Sequence, residues 1–91
     1  MAIYAVRYTY NHETERQAEV RPAHRVFLKT LLDEGVLLAS GPLEGGQALI
    51  IIRADDAVAA LGILEGDPMN TESLIDSREA LQWTAVYGPW A

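Results

Sequence analysis

The chain has no cysteine, a single phenylalanine, and only seven basic residues against thirteen acidic ones. Lack of cysteine excludes disulfides, thiol nucleophiles and thiolate metal sites. The shortage of Lys and Arg, with a formal net charge of -6 and a pI near 4.7, leaves no basic stripe to fit nucleic acid. No apolar run approaches the roughly 20 residues of a membrane-spanning helix. The start Met1-Ala2-Ile3-Tyr4 lacks the basic and apolar regions of a signal peptide. Repeats and low-complexity segments are also missing. What remains is an acidic, soluble domain, expected in the cytoplasm. Its 91 residues suit one domain, 1–91, near the lower limit for an unaided core. A hydrophobic content of 49% is high enough for a buried association surface as well as that core.

The hydrophobic pattern predicts a short, regular element order. Ala2 to Tyr10 alternates as a strand, with Tyr4, Val6, Tyr8 and Tyr10 on one face. Asn11 to Glu19 is polar and is expected to be a loop or a loose turn. A helix follows from about Val20, with Pro22 tolerated in its first turn and Gly35 at its end. Val36 to Ser40 is a second strand, and Gly41-Pro42 and Gly45-Gly46 bracket a hairpin turn. Gln47 to Arg53 is a third strand. Asp55 is the expected N-cap of a second helix carrying Ala57, Ala60, Leu61 and Leu64, with Gly66 as C-cap and Asp67-Pro68 barring continuation. Leu81 to Tyr87 is the last strand. The β-α-β-β-α-β order predicts an α+β, ferredoxin-like domain, a four-stranded antiparallel sheet with two helices on one face. Ala48-Leu49-Ile50-Ile51-Ile52 is apolar on both faces, so the face away from the helices needs a cover, and a second copy in a homodimer is the simplest one.

His24 stands out on the first helix. At about 100° per residue it falls in the middle of the stripe Val20, Phe27, Leu28 and Leu31, where hydrocarbon belongs. An imidazole in that place needs a partner or a cavity. In a ferredoxin-like topology the start of helix one, the end of helix two and the end of strand two lie at one end of the domain. His24, Asp67 and Ser40 are thereby brought together. A carboxylate beside an imidazole orients the ring and fixes its tautomer, as a general base requires. Each residue also has a purely structural reading: His24 as a core histidine, Asp67 as a turn residue before proline, and Ser40-Gly41-Pro42 as a hairpin corner. Arg21 and Arg25 flank His24 and suit either an anionic substrate or surface Glu partners. Tyr4, Tyr8, Tyr10 and Trp83 suit either a pocket for a ring or a dimer interface. His12 lies among acids in a polar loop, and no ligand spacing supports a metal site.

Arg21-Pro22-Ala23-His24 with Phe27-Leu28, then Gly35, Ser40-Gly41-Pro42 and Gly66-Asp67-Pro68, resembles the YciI-like family of the dimeric α+β barrel superfamily. The resemblance runs from the first strand to the region of Trp83. It departs at Met69, where the family often carries an aromatic after Asp-Pro. It implies a dimer of ferredoxin-like subunits and a His–Asp pair as a proposed active site. Carried over residue by residue, that pair is His24 and Asp67, with Ser40 as a pocket neighbour; Gly41, next to Ser40, and Arg21, on the helix beside His24, are further candidates for binding substrate. The family includes dehydrochlorinase-type chemistry on hydroxylated aromatic compounds and resembles muconolactone isomerases in architecture. Two classes of function follow. One is a cofactor-free enzyme moving a proton on a small cyclic or aromatic substrate during elimination or isomerisation. The other is a non-catalytic dimeric module that binds a small metabolite or a partner. A cavity beside His24, within reach of Asp67, separates them.

Overall fold

The computed structural model describes all residues, Met1–Ala91. Four antiparallel strands, β1 (Ala2–Tyr10), β2 (Leu37–Leu43), β3 (Gln47–Ala54) and β4 (Ile75–Gln82), form one sheet in the order β2-β3-β1-β4. Helix α1 (Thr14–Asp33) links β1 to β2, and α2 (Ala57–Ile63) with the single-turn α3 (Pro68–Thr71) links β3 to β4. This is the ferredoxin-like βαββαβ arrangement with one short helix added.

Register decides which face each residue takes. Tyr4, Val6 and Tyr8 of β1 stand opposite Ile52, Ile50 and Ala48 of β3. All six are buried in one core with Leu28 of α1 and with Ala60 and Leu64 from the α2 region. Alternation sends Ile3, Ala5 and Arg7, which stand opposite Arg53, Ile51 and Leu49, to the outer face. The β1 tyrosines therefore belong to the helix side. The expectation that they contribute to an outer association face is corrected: Tyr4 and Tyr8 are core, and Tyr10 packs edge-on against Tyr8 at 6.0 Å.

Helix α1 is longer than its apolar stripe suggests. Its first turns, from Thr14, bury Gln17 rather than hydrocarbon, so the polar segment Asn11 to Glu19 gives no helical signal in hydropathy. Gln17 Nε2 donates to the main-chain oxygen of Asn11 at 2.8 Å, which ties the helix start to the end of β1. Pro22 consequently sits inside the helix, not in its first turn. Both Pro22 and Ala18, whose carbonyl loses its usual donor, are exposed, so water can serve that carbonyl. His24 lies mid-helix, and the helix N-terminus does not act on it.

Three further boundaries differ from expectation. β2 continues through Gly41-Pro42, which stand opposite Leu49 and Ala48, because β2 is an edge strand where proline is tolerated. The hairpin turn is confined to Glu44–Gly46, with Gly45 and Gly46 at φ of 85° and 76°. The N-cap of α2 is Asp56, whose side chain accepts from the Ala59 amide at 2.7 Å, rather than Asp55. The last strand is Ile75–Gln82, not Leu81 to Tyr87. Its inward position opposite Tyr8 is Arg78, which bonds the Leu61 carbonyl and Glu65 instead of supplying apolar burial. Trp83 adds one further backbone bond to Ile3, and its ring then packs against Trp90 at 6.0 Å.

Candidate active site

Asp67 is the centre of the polar core. It has no exposed surface, and a buried carboxylate must have its oxygens satisfied by donors. Three groups do this. The Tyr8 hydroxyl donates to Oδ2 at 2.9 Å. The Met69 amide donates to Oδ1 at 3.0 Å, so that Asp67 caps α3 with Pro68 in the first helical position. His24 Nδ1 lies 2.8 Å from Oδ1 and 2.9 Å from Oδ2. Since an ionised carboxylate only accepts, the proton of a neutral His24 belongs on Nδ1, leaving Nε2 as the ring's free acceptor.

The local sequence explains how these groups meet. β1 alternation turns Tyr8 inward, where a phenol needs a polar partner. The turn after α2 carries Gly66, and the Phe27 ring lies 3.5 Å from where a Cβ there would sit, which brings that turn close to α1. Burial, then the Asp67 charge and hydrogen bond, holds the Tyr8 hydroxyl far above the ordinary tyrosine range. Tyr10 is pushed up to about 12 by burial and by the Asp67 charge, with Arg21 acting in the opposite direction.

Next to this cluster is a cavity of about 400 Å³, within the range of small-molecule sites. One wall is the α1 row Gln17, Arg21, His24, Arg25 and Leu28. The opposite wall is β2 and the start of β3, with Ser40, Gly41 and Pro42. Thus Arg21, Ser40, Gly41 and His24 share one cavity, while Asp67 is not among its lining residues and reaches it only through the imidazole. The His24 side chain is 12% exposed, buried enough to be held and open enough to be reached. His12 lies apart, among the acids of the α1 start.

Two polar neighbours escape sequence reasoning. Tyr8 is legible as an inward aromatic, but its partner 59 residues away is not. Gln17 falls in the segment expected to be a loop. Because the Asn11 main-chain oxygen can only accept, the Gln17 nitrogen is fixed toward it, and Oε1 makes no hydrogen bond within the chain. Gln17 therefore offers the cavity an acceptor.

A small α+β domain with a His–Asp contact beside a cavity is thus the class that fold and geometry define. The chain belongs to the YCII-related family, whose domain model matches residues 1–84. No curated protein matches it by sequence. Among solved structures it is similar to 5-chloro-2-hydroxyhydroquinone dehydrochlorinase from Burkholderia phenoliruptrix AC1100, determined with 2,5-dihydroxybenzoquinone. That match has a TM-score of 0.78 at 15% identity and covers 90% of this chain and 93% of the other. A NIPSNAP domain protein from Burkholderia xenovorans is similar at a TM-score of 0.57 and 13% identity, over 98% and 99% of the two chains. At these identities the likeness establishes the fold.

Proposed function

We propose that this protein is a cofactor-free enzyme in which His24 transfers a proton on a small cyclic or aromatic substrate during elimination or isomerisation. The observation that carries this reading is the His24–Asp67 contact at the edge of a cavity large enough for a single-ring molecule. Nε2 takes a proton from the substrate, and Asp67 steadies the imidazolium that forms. The proton is then returned at another atom in an isomerisation, or released to solvent as a leaving group departs in an elimination. Asp67 orients the ring, and Ser40, Gly41 and Arg21 hold the substrate. The family and the likeness to a dehydrochlorinase bound to a hydroxylated quinone support this substrate class. A metabolite-binding module would use the same cavity without turnover.

The reading includes a homodimer, acting in the cytoplasm, packed through the outer sheet face. Ile3, Ala5, Leu49 and Ile51 lie on that face, with the exposed Leu43 and Leu81 at its edges. The experiment that tests the enzyme reading follows hydroxylated and halogenated ring compounds by NMR in deuterated buffer. Loss of a leaving group or exchange at carbon is expected with the native protein. His24→Asn should slow it by about 10²–10⁴, the range for a lost general base, and Asp67→Asn by less. A folded His24→Asn variant with near-native turnover overturns the reading. No turnover of any compound favours the binding module.

A further inference from the structure

We propose that the cavity binds a small organic carboxylate, its charged group held by Arg21 and Arg25 and its ring against the apolar wall. The proposal deepens the functional reading by naming the charge of the ligand, and it rests on that reading only for the choice of cavity. Its starting point is an imbalance. The chain carries thirteen acids and seven basic residues, so a cation without a partner is unexpected. Arg7 pairs with Glu79, Arg16 with Glu19 and Glu72, Lys29 with Asp33, and Arg78 with Glu65. Arg21, Arg25 and Arg53 are in no ion pair. Two of these three line the cavity, and none of its 14 lining residues is acidic.

Helix geometry makes the arrangement costly. Arg21 and Arg25 are four residues apart on α1 and so are neighbours on its surface, where like charges repel. The residues three and four positions away on the same helix are Gln17, Ala18, Pro22, His24, Leu28 and Lys29, which supply no acid to either arginine. Asp67, behind His24, is buried and already bound by Tyr8, His24 and the Met69 amide. An oxyanion entering the cavity relieves the repulsion, and the planar guanidinium fork fits a carboxylate with two parallel hydrogen bonds. Leu28, Pro42, Ala48 and Ile50 supply apolar lining to the same cavity. A charged head with an apolar ring matches both ends, and inorganic phosphate matches only one.

The test is equilibrium binding, measured by calorimetry or ligand-observed NMR, with benzoate, its neutral analogue benzamide and inorganic phosphate. Benzoate should bind at least about tenfold more tightly than benzamide, the factor expected for one charge-assisted pair. Arg21→Gln and Arg25→Gln should each remove most of that preference. The preference should also shrink at about 1 M salt, where charges are screened over roughly 3 Å. Arg25 is exposed, so its variant reports even if the Arg21 variant folds poorly. Equal binding of benzoate and benzamide overturns the proposal. So does phosphate binding as tightly as benzoate, or an unchanged preference in Arg25→Gln. Benzoate binding by the native protein is read without turnover, so loss of turnover in His24→Asn and loss of the anion preference in Arg25→Gln are separate results.

Discussion

Replacing Tyr8 by Phe removes one oxygen from the interior and should still destabilise the protein. Two effects compete. Deleting a buried hydroxyl spares its desolvation, which favours the Phe variant. The partner, however, is a fully buried carboxylate, and it loses one of three donors. A hydrogen bond to a charged group contributes about 1.5–3 kcal/mol, and leaving a buried charge short of a donor is the costly case. The loss therefore wins, at about 2 kcal/mol, and the ring volume is kept so no large cavity adds to it. For a domain of this size that corresponds to a fall in Tm of about 10 °C. Urea unfolding at fixed protein concentration measures it, and a double-mutant cycle with Asp67→Asn isolates the pair. Coupling of about 1 kcal/mol or more is expected. A Phe variant within about 0.5 kcal/mol of native, or a cycle showing simple additivity, would refute the view that Tyr8 supports the Asp67 carboxylate.

Two further outcomes follow from the same geometry. Burial raises Tyr8, so the folded chain keeps its phenol proton while the unfolded chain releases it near the ordinary value of 10.0. That contribution to stability is intact below pH 10 and declines above it, by at most about 1.4 kcal/mol per pH unit. Urea midpoints between about pH 9 and 11 should fall in the native protein and fall less in Tyr8→Phe. At the outer face, light scattering at micromolar concentration should give the mass of a dimer, consistent with an interface of about 2,000 Å² or more. Ile51→Arg should yield monomer or loss of fold, whereas a compact monomer from the native chain would remove the dimer from the functional reading.

The fold was legible where burial and turn chemistry agree. β1, β3 and the helix carrying His24 show it, and they set the topology. Legibility failed where polar side chains do structural work. The start of α1 is hidden because its inward residue is Gln17, satisfied by a neighbour that hydropathy does not weigh. β4 is hidden because the residue opposite Tyr8 is Arg78, while the more apolar stretch after it lies beyond the sheet. Of the candidate site, His24 and Asp67 were legible as a pair, because helical periodicity isolates one and topology delivers the other. Their dependence on Tyr8 was not, since nothing local to Tyr8 names an acceptor so distant in the chain.

The structural and functional readings of Asp67 are not rivals. One carboxylate caps α3 through Met69, satisfies a core phenol and holds the imidazole at the cavity. A substitution at Asp67 therefore changes the turn, the core and the ring together, and a fall in activity there does not by itself identify chemistry. His24 is different. It contributes one contact to the cluster through Nδ1, and its other nitrogen makes no bond within the chain. His24→Asn keeps a polar group able to donate to Asp67 while removing the free nitrogen, so the cluster persists and the proton acceptor does not. A variant of native-like stability with turnover reduced about 10²–10⁴ would locate the chemistry on Nε2. Similar losses of stability and of turnover at Asp67 would then follow from its place in the core, with His24 carrying the reaction.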